Sequence, residues 1–344
     1  MQIKETPEDF IVEERIRLNT KSKGDYTYFL LEKRNWTTLK AIEFISNYLK
    51  VPVKRFSFAG QKDRRGITKQ HVSAFHISES MLNKIELKDI KIKFLGYGDR
   101  PLSLGSLIGN KFQIKYPTKK KIDFIVNYYD EQRFGGYRPN LHLIGKNVLL
   151  KKYEEAVKLF LLYPFENETK DYKDARKRQE KNWGKWHVDR YPKYLLNERK
   201  IIGYLSKHPD DYQGALHSLP KQLFDMMTQS FQSYIWNESL SRYLKSKFKN
   251  HREAPYSVGK LVFVDEYLNL KWPIVGNDSK LTGDVKKFVE EVLNEQGVWY
   301  NNFQKSLERD AMTKVKDYKI NGDWISFFLP KSSYATMLIK NLEN

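Results

Sequence analysis

The sequence lacks cysteine altogether. Without a thiol, the chain cannot form a disulfide bond, bind zinc or an iron–sulfur cluster through cysteine, or use a cysteine nucleophile. It also lacks an apolar run of membrane-spanning length, and its N-terminus has no basic stretch followed by an apolar core, as a secretory signal would have. We therefore expect a cytoplasmic protein that does not enter a membrane.

Two further absences concern enzyme classes. The seven histidines are scattered without the spacing of metal ligands, so we expect no metal ion, and a metal-dependent nuclease is disfavoured. No glycine-rich loop of the kind that holds S-adenosylmethionine follows a predicted strand, which disfavours an RNA methyltransferase.

Acidic residues are outnumbered by basic ones, with 42 Asp and Glu against 61 Lys and Arg and a formal net charge of +19. Together with a 14% share of aromatic residues, this charge supplies the electrostatic attraction and the stacking surfaces that RNA binding requires. The alternative is a basic protein of a lysine-rich proteome, whose charge indicates no partner. At 344 residues the chain is long enough for two hydrophobic cores, so we expect two domains.

A polar loop lies between two predicted strands, residues 53–58 and 69–77, in which apolar and polar side chains alternate. On this glycine-bracketed loop a single carboxylate, Asp63, is surrounded by three cations, Lys62, Arg64 and Arg65. Cations favour the charged form of a nearby carboxylate and also bind phosphates, so the loop could present a nucleophile to a polyanion. The alternative is a solvated turn in which Asp63 only balances the charge of its neighbours.

Helical spacing predicts a helix over residues 39–49, behind Thr37 and Thr38, either of which could cap its N-terminus. Predicted strands on both sides of this helix indicate mixed α/β layers. Later in the chain, residues 170–193 combine nine Lys or Arg and four Asp or Glu with interleaved tyrosines and tryptophans. This segment could face RNA, or it could be a solvated helix followed by a loop whose tryptophans pack against the domain.

Five segments, in order along the chain, resemble the characteristic segments of the TruD-type tRNA pseudouridine synthases: residues 4–14, 58–70, 102–112, 127–135 and 328–336. The resemblance therefore runs nearly from end to end. It implies an α+β fold, in which a mixed, mostly antiparallel sheet is flanked by helices, together with a family-specific α/β insertion domain. We expect the pseudouridine synthase domain in residues 1–150 and 306–344, and the insertion domain in residues 151–305.

The resemblance also implies an activity, the site-specific isomerisation of uridine to pseudouridine in tRNA, with uridine 13 as the expected position. This reaction breaks the N1–C1′ bond, turns the uracil and joins C5 to C1′, so it needs no cofactor. Asp63 matches the family's catalytic aspartate and would act as nucleophile or base on a flipped-out nucleotide. The enzyme would be an isomerase, an intramolecular transferase, and we expect it to be a monomer with tRNA as its partner.

Other site residues follow by position in the matching segments. The resemblance implies that Phe10, Asn127, Tyr129 and Tyr334 contact the substrate, and that Lys4 holds Asp63 or a phosphate. Cations expected to bind RNA are Lys62, Arg64, Arg65 and Arg133. The alternatives are core packing for Phe10, which lies in a predicted strand, and a structural salt bridge for Arg133.

The chain departs from the family pattern at three positions. Tyr129 and Asp130 stand where the family usually has phenylalanine and glycine, and Ser332 stands where it usually has glycine. The hydroxyl of Tyr129 could assist removal of the C5 proton, whereas Asp130 brings a negative charge close to the expected path of RNA. These departures bear on substrate choice, so modification of another tRNA position or another RNA is an alternative. A non-catalytic, basic RNA-binding protein is the second alternative.

Overall fold

The computed structural model describes residues 5–166 and 168–343. One of the predicted site residues, Lys4, lies outside the described residues. The strands of the described part are β1 Phe10–Ile16, β2 Tyr26–Arg34, β3 Phe56–Phe58, β4 Ile67–Phe75, β5 Ile90–Gly98, β6 Leu107–Lys115, β7 Phe124–Val126, β8 His251–Tyr256, β9 Gly259–Val264, β10 Lys271–Ile274, β11 Leu307–Asp310, β12 Met312–Lys314, β13 Lys316–Asn321 and β14 Trp324–Pro330.

The helices of the same part are α1 Thr38–Leu49, α2 Glu79–Leu82, α3 Leu141–Leu149, α4 Tyr153–Leu162, α5 Lys170–Lys181, α6 Leu196–Leu205, α7 Tyr212–His217, α8 Lys221–Lys247, α9 Gly283–Gln296 and α10 Ala335–Glu343. Among them, none combines the length and the apolar character that crossing a bilayer demands.

Contacts between residues divide the chain into two units. Unit 1 comprises residues 1–125 and 313–342, and unit 2 comprises residues 126–312 and 343–344. The sequence placed the domain limits at 150 and 305, so unit 2 begins earlier and ends later than the predicted insertion. Its identity as the family's insertion domain stays a prediction.

Unit 1 is built on an eight-stranded sheet with the order β13-β14-β6-β1-β4-β2-β5, and β3 pairs with β4 outside this path. Neighbouring strands are antiparallel except for the parallel pair of β1 and β4. The predicted fold class, a mixed and mostly antiparallel sheet with helices, is therefore confirmed. The register aligns one inner face across five strands, formed by Lys33, Thr68, Val12, Phe112 and Phe327.

Helix α1 shares a hydrophobic core with the sheet, because Ile42 and Ile45 cluster with Phe29 and Leu31 of β2. Of the two candidate caps, Thr37 is the one that caps the helix, and its side chain accepts a hydrogen bond from the Lys40 amide at 3.3 Å. This leaves the hydroxyl group of Thr38 available for a different contact, which is described with the site below.

Unit 2 has a helical core in which the aromatic side chains of the segment 170–193 take part. Tyr172, Trp186 and Tyr191 are buried, and Trp183 stacks on Tyr212 with ring centroids 6.1 Å apart and planes at 9°. These rings are core residues, so the structure agrees with the packed alternative for this segment. Of the charged residues of α5, Arg176 is buried and forms an ion pair with Glu168 at 2.8 Å, and the others are exposed, as in an amphipathic helix.

Close packing of α3 against α8 depends on Gly145. A Cβ atom at this position would overlap the carbonyl oxygen of Met227. Alanine normally stabilises a helix relative to glycine by about 0.5–1 kcal/mol, but here we expect Gly145→Ala to lower the free energy of unfolding by about 1–3 kcal/mol. The measurement is urea denaturation of the full chain.

The matched control is Gly203→Ala in α6, where the nearest atom to a Cβ is a Val188 methyl carbon at 3.8 Å. This variant should be more stable than the parent by about 0.5–1 kcal/mol. Stabilisation by both substitutions would contradict the close approach of α3 and α8.

Candidate active site

Asp63 lies on the loop of residues 60–66 between β3 and β4, as the alternation of side chains predicted, although residues 53–55 of the predicted first strand form a 3-10 helix. Asp63 is partly exposed, and Arg64 and Arg65 are exposed beside it. We call residues 60–66 the Asp63 loop. A partly exposed carboxylate can act as a nucleophile or as a base if its loop is held in place, and three backbone contacts and one side-chain contact hold this loop.

The first contact comes from the start of α1. The Thr38 hydroxyl accepts a hydrogen bond from the Lys62 amide at 3.0 Å and donates one to Oε1 of the Gln70 side chain at 2.7 Å. Because Gln70 lies in β4, this buried hydroxyl joins the helix, the loop and the following strand. The second contact is a hydrogen bond of 3.2 Å from the Asn35 amide to the carbonyl of Gly66, where the loop ends.

The third contact is a buried cation, Lys33, whose side chain is on the inner face of β2. Its Nζ donates to the carbonyl oxygen of Asp63 at 3.0 Å and to that of Trp36 at 2.6 Å, and the residue is only 1% exposed. Burial lowers the pKa of Lys33 to about 8, although the negative charge of Asp63 acts in the opposite direction. The sequence analysis did not identify Lys33 as a site residue. The indication of its burial in the sequence was its position in the alternation Phe29, Leu31, Lys33, whose side chains are all buried.

The fourth contact is an ion pair between Lys62 and Glu14. The Lys62 ammonium lies 2.8 Å from Glu14 Oε1, and Oε2 of the same carboxylate accepts the His71 amide proton at 2.8 Å. Burial raises the pKa of Glu14, but the hydrogen bonds from His71 and the charge of Lys62 outweigh it and hold this pKa below its usual range. The Lys62 side chain is only 8% exposed and anchors the loop to Glu14 of β1. Its predicted contact with RNA stays a prediction.

Phe10 lies against the end of the Asp63 loop. Gly66 has a φ of +135°, and a Cβ atom there would be 2.6 Å from the carbonyl oxygen of Phe10 and 3.1 Å from its ring. The Phe10 side chain is buried and packs edge-on against Phe112 with centroids 6.2 Å apart. The structure thus brings Phe10 and the loop together, and it also gives the ring the core contacts of the alternative interpretation.

Near the C-terminus of the chain, Tyr334 lies immediately before α10 and is partly buried. Its carbonyl accepts a hydrogen bond from the Met337 amide at 3.1 Å. Ser332, two residues earlier, has a φ of +67°. This left-handed conformation favours glycine, which explains why a glycine at this position suits the backbone better than the serine of this chain.

In unit 2, Asn127 is held by Arg309, which lies 182 positions later in the chain. The guanidinium of Arg309 donates to the Asn127 carbonyl at 2.7 and 3.0 Å and to Oδ1 of its side chain at 2.9 Å. The Asn127 amide nitrogen Nδ2 donates to the carbonyl of Asp310 at 3.1 Å. Both ends of the Asn127 side chain are therefore engaged by one short segment, and no spacing in the sequence signalled Arg309.

The same guanidinium covers the ring of Tyr129, 4.1 Å from its centroid, and Arg133 lies 5.1 Å from that centroid. The Tyr129 backbone is fixed by Asn237, whose side chain donates to its carbonyl and accepts from its amide, both at 2.9 Å. Two cations on one aromatic ring are favourable because the ring face is electron-rich. Asp130, the other departure from the family pattern in this segment, is buried.

Within residues 5–166 and 168–343, no group of three or more His, Asp or Glu side chains is arranged to hold a metal ion.

Comparison with known proteins gives one consistent result. The sequence model of the family described as "tRNA pseudouridine synthase D (TruD)" matches residues 1–342. The chain is 31% identical to the probable tRNA pseudouridine synthase D of Nanoarchaeum equitans, over 99% of this chain and 98% of that protein. It is 30% identical to the tRNA pseudouridine synthase D of Aquifex aeolicus, over 99% and 98% of the two chains.

A solved structure agrees with these sequence matches. The crystal structure of the putative tRNA pseudouridine synthase D from Methanosarcina mazei has a TM-score of 0.73 and 28% identity to this chain, covering 99% of this chain and 93% of that one. Family segments, sheet topology and relatives along the whole length agree, and the chain therefore belongs to the tRNA pseudouridine synthase D (TruD) family.

Proposed function

We propose that this protein isomerises uridine 13 of tRNA to pseudouridine, with Asp63 as the reacting carboxylate. The observation that carries this proposal is the Asp63 loop. The side chain of Asp63 is partly exposed, and its backbone carbonyl accepts a hydrogen bond from the buried ammonium group of Lys33. The names of the relatives supply the reaction and the class of RNA. The N1–C1′ bond breaks, C5 joins C1′, and the C5 proton leaves while a ring nitrogen ends with a proton, so the product is an isomer of the substrate.

The other residues would divide the work of holding the nucleotide. We propose that Tyr129 and Asn127 contact the uracil, because Arg309 fixes both side chains before RNA binds. An oriented amide and a rigid ring need no reordering when a flipped base arrives. Contacts of the substrate with Phe10 and Tyr334, and of RNA with Lys4, Lys62, Arg64, Arg65 and Arg133, belong to the same proposal.

Three coarser features complete it. We propose that the protein works as a monomer in the cytoplasm, and that residues 151–305 act as the insertion domain of the family. No cofactor enters the proposed reaction, because the isomerisation neither oxidises the substrate nor adds an atom to it.

The first test replaces the reacting carboxylate. Asp63→Asn keeps the shape of the side chain but removes its charge and nucleophilicity, so we expect pseudouridine formation to fall by at least about 10³-fold. The dissociation constant for an unmodified tRNA transcript should stay within about twofold of the parent. Pseudouridine mapping of the transcript measures the first quantity and identifies the position, and fluorescence titration measures the second.

Failure has a distinct signature for each part of this proposal. A parent protein that binds RNA but forms no pseudouridine is a non-catalytic RNA-binding protein. A parent that modifies a uridine other than 13 contradicts the position alone. Full activity of Asp63→Asn contradicts the role of Asp63.

The second test concerns the buried ammonium of Lys33. Its pKa of about 8 means that Lys33 loses its charge, and with it the attraction to Asp63, as the pH rises through about 8. We therefore expect kcat of the parent to fall as the pH rises above about 8. Lys33→Met should lower kcat at pH 7 by roughly 10- to 100-fold, because the Asp63 loop is then positioned less well. The same substitution should abolish the fall in kcat at alkaline pH.

The control for Lys33 is Lys40→Met on the exposed side of α1, which should change neither kcat nor its pH profile. Circular dichroism verifies that both variants are folded. An alkaline limb that persists unchanged in folded Lys33→Met would assign this limb to another group.

The third test removes only the hydroxyl oxygen of Tyr129. If this hydroxyl assists removal of the C5 proton, Tyr129→Phe should slow the release of tritium from C5-labelled RNA by about 10-fold or more. RNA affinity should be retained, because the ring and its contacts with Arg309 and Arg133 remain. Rates equal to the parent at every step would eliminate the role of the hydroxyl.

A further inference from the structure

A row of side chains crosses the sheet of unit 1 on the face opposite to its inner face. Strand register places seven residues directly beside one another, in the order Lys316, Phe328, Lys111, Glu13, Lys69, Glu32 and Lys91. Residues opposite each other on neighbouring strands share a face, so this row defines an outer face. Its two ends differ in how their charges are balanced.

At the end formed by β4, β2 and β5, the charges neutralise one another. Glu32 lies 3.2 Å from the Lys69 ammonium and 3.8 Å from that of Lys91. At the other end, Lys111, Lys316 and Lys319 form no ion pair within the described part of the chain, and Arg15 is paired with Glu13 at 3.4 Å. Positive charge therefore accumulates at the β13 side of the outer face.

A β-bulge produces this accumulation. Lys316 pairs with Phe328, and Lys319 pairs with Ser326. The two lysines are three positions apart in β13, whereas their partners are only two positions apart in β14. Asp317 lies within this irregular stretch, with a φ of +54°. In a regular strand, residues three apart point to opposite faces, so the bulge is what puts both lysines on the outer face.

Lysines on an outermost strand also prevent edge-to-edge association of sheets, and β13 is such a strand. That function does not account for Lys111, because β6 is paired on both sides, with β14 and with β1. Phe328 lies between Lys316 and Lys111 in the row, and its ring passes over Gly109, where a Cβ atom would be 2.5 Å from the ring. The aromatic ring of Phe328 on β14 thus lies between lysines on the two neighbouring strands, β13 and β6.

We propose that this cationic edge, formed by Arg15, Lys111, Lys316 and Lys319 around Phe328, binds the phosphate backbone of the RNA substrate. The proposal rests on the proposed function for the identity of the RNA. Lys316 and Lys111 are two strand spacings apart, about 10 Å, so separate phosphates of one backbone can reach each of them. Glu13 and Asp317 are the carboxylates of this region, and they leave it with an excess of positive charge.

RNA bound at the cationic edge can continue along the outer face toward the Asp63 loop. Lys69 of the same row follows Asp63 closely in the chain, on the strand into which the loop leads. The neutralised part of the row adds little attraction there, so on this face of the sheet the cationic edge is the part that attracts RNA independently of the target base.

The test is a pair of double charge reversals with the same change in net charge. Lys316→Glu with Lys319→Glu alters the cationic edge on β13, and Lys91→Glu with Lys93→Glu alters the opposite outer strand, β5, on the same face. Glutamate keeps both edges charged, so protection against edge association is retained. The probe is an unmodified tRNA transcript, titrated between 0.05 and 0.3 M salt.

We expect the β13 pair to raise the dissociation constant at least about tenfold at 0.1 M salt and to lower the slope of log Kd against log salt by about 1.5–2. The β5 pair should change the dissociation constant by less than about threefold. At saturating RNA, kcat should equal that of the parent in both variants. A second variant, Lys111→Gln on the doubly paired strand β6, should lower the slope by about 0.7–0.9.

Equal losses of affinity in the two pairs would overturn the proposal, because net charge alone would then explain them. Unchanged affinity in the folded β13 pair, or in Lys111→Gln if that pair fails to fold, would overturn it as well. The outcome is separable from the proposed function. A parent that makes no pseudouridine contradicts the activity, whereas the comparison of dissociation constants still decides whether the cationic edge binds RNA.

Discussion

The hydrogen bond from the Lys33 ammonium to the carbonyl of Asp63 is the contact on which the rest of the site depends. It places a cation inside the sheet core, where desolvation is costly, and the two carbonyl partners and the nearby carboxylate offset only part of that cost, so the pKa of Lys33 stays lowered. A loop held in this way fixes the position of the backbone that carries the Asp63 carboxylate. This backbone position exists before RNA binds, so ordering the loop does not weaken binding or slow the reaction.

The cations around Asp63 have different environments in the structure. Lys62 is buried in its ion pair with Glu14, whereas Arg64 and Arg65 are exposed to solvent. Both side chains of this ion pair are buried, so loss of either one would leave a lone buried charge. Buried and exposed cations thus lie within a few residues of one another, and the local sequence does not distinguish between them.

In unit 2, Arg309 holds two predicted site residues in place, as Lys33 holds the Asp63 loop in unit 1. One guanidinium group fixes the amide of Asn127 through hydrogen bonds and lies over the ring of Tyr129. Its planar shape permits both contacts at once, which the point charge of a lysine would not. The tyrosine that replaces the usual family phenylalanine keeps this cation–π contact, so the departure from the family pattern is compatible with the same arrangement of the segment.

The sequence by itself determined the strands on both sides of Asp63, the helix α1, the mixed and mostly antiparallel fold class and the family, because alternation, helical spacing and short motifs are local properties. Only the tertiary structure decided that Thr37 caps α1 while Thr38 ties down the loop, that Trp186 is a core residue, and that Arg309 contacts Asn127. The position of Lys316 and Lys319 on one face was likewise decided by a bulge in strand pairing. These features depend on which distant segments pack together, and the spacing of neighbouring residues does not determine the free energy of that packing.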